Sequence, residues 1–167
     1  MYLLWLFKAK LKTKSIQEEV NMTDAFALPT RNSLGRVLVV DDEADVRKAV
    51  RIALTKSGYE VIEAEDGKKA TEVINSGDNP LDLDVIICDI RMPIVDGMES
   101  IKYFRDQFPS RPIIVLTGFP DVQLATQLFK YGVVDFLVKP VEREKLAAAV
   151  ANAIKQRGKA KIWSLAS

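Results

Sequence analysis

Histidine is absent from this chain. That excludes imidazole metal sites, Ser–His and Cys–His nucleophile pairs, and histidine general bases. Any chemistry must run on carboxylates, lysines and hydroxyls. A metal, if used, would be a hard, oxygen-preferring ion, Mg²⁺ or Mn²⁺ rather than Zn²⁺. Cysteine is nearly absent as well. Cys88 stands alone inside an apolar run, so no disulfide can form within the chain and a reducing, cytoplasmic setting is expected. There the thiol reads as a small buried hydrophobe. Neither sign of charge is in excess, with a net charge of +1 and 28% charged residues. A strongly basic nucleic-acid binder is therefore not indicated. The apolar stretch Met1–Phe7 is too short to span a bilayer. Its lysines follow it, at Lys8, Lys10, Lys12 and Lys14, which reverses the order of a signal peptide. No internal repeat and no low-complexity segment is present.

What the chain does have is enough apolar residue for a core: 48% of 167 residues, a length that suits one domain with short extensions. Residues 1–33 read as an N-terminal extension, helical or mobile, for which membrane contact is not expected. Residues 34–156 are regular. Strand Val37–Val40 leads into a helix over Ala44–Ser57, whose apolar stripe is Val46, Ala49, Val50, Ala53 and Leu54. Gly58 stops that helix. Tyr59–Ala64 alternates as a half-buried strand, and Lys68–Asn75 is a short helix. A polar loop over Ser76–Asp84 precedes strand Val85–Cys88. Met92-Pro93 and Asp96-Gly97 punctuate the next loop. Met98–Phe108 is an amphipathic helix, Ile113–Leu116 a strand, Val122–Tyr131 a helix ended by Gly132, Phe136–Val138 a fifth strand, and Val141–Gln156 a final helix. Residues 157–167 form a short basic tail. Strand–helix pairs in this rhythm predict an α/β fold, a doubly wound parallel sheet with helices on both faces.

Four of the apolar runs stop at polar residues. Val37-Leu38-Val39-Val40 stops at Asp41 and Asp42, Val85-Ile86-Ile87-Cys88 at Asp89, Ile113-Ile114-Val115-Leu116 at Thr117, and Phe136-Leu137-Val138 at Lys139. Ligands bind at the carboxyl ends of such strands, so these side chains should converge on one crevice. Taken singly, each has a plain structural reading. Asp42 could cap the following helix, Thr117 could finish a strand, Lys139 before Pro140 could sit in a surface turn, and Asp96-Gly97 is most simply a turn. Taken together they suggest chemistry. Crowded carboxylates are costly unless a cation holds them, and a divalent metal solves that. A metal, the Lys139 ammonium and the Thr117 hydroxyl around Asp89 would suit the oxygens of a phosphoryl group in transfer, with Asp89 as nucleophile.

These motifs resemble the receiver domain of two-component response regulators, in order and over about Arg36–Gln156. The resemblance implies a flavodoxin-like five-stranded sheet of order 2-1-3-4-5, an order the general rules of α/β folds already tie to a chemotaxis receiver. It implies that Asp89 takes phosphate from a phosphohistidine on a sensor histidine kinase or histidine phosphotransferase. It assigns Asp41, Asp42, Asp89 and the backbone carbonyl of Arg91 to Mg²⁺ (or Mn²⁺), Thr117 and Lys139 to the phosphoryl group, and Phe136 with Thr117 to the switch. The Lys139-Pro140 peptide is often cis in the family. Arg91 and Phe119 occupy variable positions that could shield the acyl phosphate, which predicts slow self-hydrolysis. A chain without histidine cannot be its own phosphohistidine donor, so a partner is expected. The stretch after Gln156 is too short for an output domain, which suggests a stand-alone module that switches contacts with a downstream effector protein, with a homodimer left open. It is not expected to be an enzyme beyond its own Mg²⁺-dependent phosphorylation and dephosphorylation. The rival readings are a phosphorelay intermediate or phosphate sink, a pseudo-receiver that takes no phosphate, and a haloacid-dehalogenase-like phosphatase. That last would need an acid two residues after Asp89, where Arg91 stands.

Overall fold

A computed structural model describes residues 32–76, 83–90 and 97–166. The chain divides into two units, Met1–Asn32 and Ser33–Ser167, and all the elements below belong to the second. The expected extension as far as Arg31, the Arg91 carbonyl, Met92-Pro93, Asp96 and most of the Ser76–Asp84 loop lie outside the described residues.

The elements run β1 (Arg36–Val40), α1 (Ala44–Lys56), β2 (Glu60–Ala64), α2 (Gly67–Ser76), β3 (Val85–Cys88), α3 (Gly97–Gln107), β4 (Ile113–Thr117), α4 (Val122–Lys130), β5 (Val133–Val138) and α5 (Arg143–Ala166). The strands form one sheet in the order β2-β1-β3-β4-β5, and every pairing is parallel. This is the flavodoxin-like order that the motifs implied.

The apolar runs lack alternation because both faces of the sheet are covered. Successive side chains point to opposite faces. Leu38, Val40, Ile86, Cys88, Ile113 and Val115 therefore pack with Ala70 and Ile74 of α2, Ile101 and Phe104 of α3, and Leu128 of α4. Val37, Val39, Val85, Ile87, Ile114 and Leu116 pack on the other face with Val50 and Leu54 of α1 and Leu146, Val150 and Ala153 of α5. Each such buried aliphatic side chain contributes about 1.5–3 kcal/mol to folding.

Local signals set the helix ends. Asp121 caps α4, its carboxylate accepting from the backbone N–H groups of Gln123 and Leu124 at 2.8 and 3.3 Å. Gly58 takes φ +91° after α1, and Tyr59 N–H then donates back to the Leu54 carbonyl at 3.1 Å. That left-handed step suits glycine. Two elements differ from the sequence expectation. β5 begins at Val133 rather than Phe136, because Val133 already pairs with Ile113 and a register shift between Ile113 and Ile114 absorbs the extra residue. α5 continues to Ala166 rather than stopping at Gln156. Arg157 ties it to the sheet at the far pole. Its Nη1 donates to the Leu83 carbonyl at 3.1 Å and to Asp84 Oδ1 at 2.6 Å, while Asp84 Oδ2 accepts from Arg36 N–H at 2.9 Å.

Candidate functional site

Strand register brings the predicted acids together. Val40 pairs with Cys88, so the next residues, Asp41 and Asp89, emerge side by side at the carboxyl end of the sheet. Two backbone bonds secure them: Asp89 N–H donates to the Val40 carbonyl at 2.9 Å and Asp41 N–H to the Ala64 carbonyl at 3.2 Å. Thr117 pairs with Val138, and Lys139 N–H donates to the Thr117 carbonyl at 2.8 Å. The Lys139-Pro140 peptide is cis.

Lys139 reaches across this end. Its Nζ lies 2.6 Å from Asp89 Oδ2, 2.7 Å from Asp41 Oδ2 and 3.1 Å from Glu43 Oε1. Asp41 and Asp89 are buried, at 2% and 4% exposure, whereas Glu43 is exposed. Burial pushes the Asp41 carboxyl above its ordinary value; Lys139 and the Glu43 N–H pull it only partway back. Burial works against the charge on Lys139, but its hydrogen bonds to Asp41 and Asp89 outweigh that and hold the ammonium above its ordinary value. Burial, with the Asp89 and Asp41 charges behind it, also pushes the Cys88 thiol up, so Cys88 stays an inert thiol as its position in the run predicted.

Among the described residues, three carboxylates thus face the Lys139 ammonium. Among the described residues, Asp41, Glu43 and Asp89 each offer an oxygen, and these oxygens lie within 4.8 Å of one another. An all-oxygen donor set with surplus negative charge fits Mg²⁺ or Mn²⁺. Asp42 is exposed and is not among the three; its backbone carbonyl accepts from Arg47 Nη1 at 3.1 Å. Thr117 is fully buried, and its Oγ1 accepts from Phe119 N–H at 3.3 Å. Phe136 is half-buried against the core on the α2–α3–α4 face, two residues up β5 from the Thr117–Val138 pair. Phe119 stands 59% exposed beside the pocket.

Sequence reasoning missed Glu43 and Arg47. Glu43 stands at the N-cap of α1 but makes no side-chain cap bond, which leaves its carboxylate available to Lys139. An acid directly after two strand-end acids was the available signal. A cleft of about 480 Å³ opens beside the acids, walled by Val46, Ala49, Val50, Ala53, Val141 and Leu146, with Glu43 and Lys139 on its rim. Among the described residues no helix is long and apolar enough to cross a membrane.

A response regulator receiver domain matches residues 37–151. The transcriptional regulatory protein FixJ of Bradyrhizobium diazoefficiens is 34% identical over 73% of this chain and 58% of its own length. The regulatory protein AtoC of Escherichia coli is 30% identical over 73% of this chain and 26% of its own. The chain therefore spans between about a quarter and three-fifths of these relatives. The solved response regulator receiver domain protein of Clostridium thermocellum superposes with a TM-score of 0.69 at 30% identity, over 75% of this chain and 98% of that one. Domains of this family are phosphoryl-accepting signalling domains, and an acidic pocket that takes Mg²⁺ is general among them. By this match, and by a sheet of the same strand order, the chain belongs to the response regulator receiver domain family.

Proposed function

We propose that Asp89 accepts a phosphoryl group from a phosphohistidine on a sensor histidine kinase or histidine phosphotransferase, and that the phosphorylated form switches contacts with a downstream effector protein. The observation that carries this reading is the Lys139 ammonium 2.6 Å from Asp89 Oδ2 and 2.7 Å from Asp41 Oδ2 at the carboxyl end of the sheet. An Asp89 oxygen forms the new bond to phosphorus as the P–N bond breaks, and the electron pair leaves on the donor's imidazole. Lys139 neutralises charge on the transferred oxygens, and the Thr117 hydroxyl donates to one of them. Asp41 and Asp42, with Asp89 and the Arg91 carbonyl, would hold Mg²⁺, and Glu43 joins that donor set. The bound cation supplies neutralisation of the phosphoryl oxygens and of the crowded acids.

Thr117 moving toward the phosphoryl group would open space for Phe136, and the surface of α4 and β5 would change with it. That surface carries exposed Val122, Phe129, Tyr131 and Val138, which suits a protein contact as output. The module works in the cytoplasm, the usual location for this family. The test is incubation with acetyl phosphate and Mg²⁺, followed by peptide mapping. The acyl phosphate is expected on the peptide containing Asp89, and stable label on any other residue would sink the assignment. Adding a histidine phosphotransferase separates the two family roles, since one that drains the label marks a relay intermediate rather than a terminal switch.

A further inference from the structure

Arg47 lies in the first turn of α1, and helix side chains lean toward the N-terminus. Its Nη1 therefore reaches back to the Asp41 carbonyl at 2.6 Å and the Asp42 carbonyl at 3.1 Å. Lys139 holds this loop by side chains, at Asp41 and Glu43, whereas Arg47 holds it by backbone carbonyls. Glu43 gives the helix no side-chain cap, Asp41 N–H bonds Ala64 at 3.2 Å, and Glu43 N–H spends itself on Asp41 Oδ1 at 2.9 Å. The guanidinium is itself anchored. Its Nε stands 3.8 Å from Glu63 Oε2 on β2, and its side chain is only 15% exposed. Arg51 pairs with the other oxygen of Glu63, which makes it a neighbouring cation on the same carboxylate.

We propose that Arg47 is a positioning residue for the acid pocket. By holding both carbonyls it fixes the backbone of the β1–α1 loop, which sets where the Asp41 carboxylate and the neighbouring Asp42 stand relative to the cation. The inference rests on the Mg²⁺-dependent reading given above. A planar guanidinium suits two acceptors and a carboxylate at once, which a lysine ammonium does not reproduce. Partners behind a metal's ligands are typically worth about 10–100-fold in metal affinity.

The test is Mn²⁺ binding to the full chain, followed by electron paramagnetic resonance, in wild type, Arg47→Met, Arg47→Lys and Arg51→Met. Arg47→Met is expected to weaken binding about tenfold. In acetyl phosphate labelling it should raise the half-saturating Mg²⁺ concentration by a similar factor, with the rate at saturating Mg²⁺ nearly kept. Arg47→Lys should fall between it and wild type, and it serves alone if Arg47→Met does not fold. Arg51→Met should bind as wild type does. Wild-type affinity in both Arg47 variants, or an equal loss in Arg51→Met, would overturn the inference while leaving the receiver reading intact. A wild type that binds no Mn²⁺ would overturn both.

Discussion

The two ends of the sheet each hold an aspartate and a cation, yet they are balanced differently. At the amino end, Asp84 has one oxygen on the Arg36 N–H and the other on Arg157. Each carboxylate oxygen has a donor, and one charge meets one charge. At the carboxyl end, Asp41, Glu43 and Asp89 all crowd around Lys139. The first arrangement fastens α5 to β1 and β3. Among the described residues, the second gathers three carboxylates on one ammonium, and burial makes charge there costly. Charge balance, more than the presence of an ion pair, separates a structural clamp from a site that awaits a ligand.

Substitutions at the two poles should therefore differ in sign. The largest effect is expected for Asp89→Asn, which should abolish labelling by acetyl phosphate, while Asp84→Asn should leave labelling within about twofold; equal loss in both would erase the distinction. Next comes Lys139→Met. In EDTA it should cost about 3 kcal/mol in urea unfolding at neutral pH, because buried carboxylates lose their cation. Lys139 sits above its ordinary value of 10.5 in the folded state. Its contribution is thus fully present below that value and is lost as pH rises through the folded value. The wild-type advantage over Lys139→Met should shrink on the alkaline side and hold through neutral pH, falling again only where the Asp41 carboxyl takes up its proton.

Smaller effects sharpen the contrast further. Asp84→Asn should destabilise by about 2 kcal/mol, since it removes the charge that Arg157 and Arg36 N–H address. Asp41→Asn should do the reverse and stabilise the metal-free chain by roughly 1 kcal/mol at neutral pH. Burial raises the Asp41 carboxyl above 3.8, so the ionised form weighs on the fold above its folded value. Below 3.8 the acid is protonated in both states and the gain should vanish. The same variant should lose most of the Mg²⁺-induced rise in the urea midpoint. Destabilisation by Asp41→Asn in EDTA would show that both poles are clamps.

Much of this was legible in the chain. Val37–Val40, Val85–Cys88 and Ile113–Leu116 read as buried parallel strands because both faces of the sheet are covered, and of the acids that end them Asp41 and Asp89 meet on Lys139 while Asp42 stands exposed. The start of β5 was hidden because Val133 and Val134 follow directly on the Gly132 stop, and their pairing with β4 depends on a register shift. The end of α5 was hidden because Arg157 looks like a tail charge until Asp84, distant in sequence, is placed beside it. Glu43 and Arg47 read as an ordinary helix start and an ordinary polar face. Their partners, the Lys139 ammonium and the carbonyls of Asp41 and Asp42, become neighbours only when β5 crosses the sheet's end and α1 turns back over its loop. Arg91 lies outside the described residues, so its part in the site rests on the resemblance and the proposal.

Cys88 gives the chain a built-in gauge. The sole thiol is fully buried one residue before Asp89, its sulfur 3.1 Å from that residue's carbonyl oxygen. An alkylating reagent can reach it only when the central strand detaches, so its modification rate times the opening of the sheet beside Asp89. Comparing that rate with and without divalent cation would show, from an unmutated protein, how firmly an occupied pocket locks the strand that carries it.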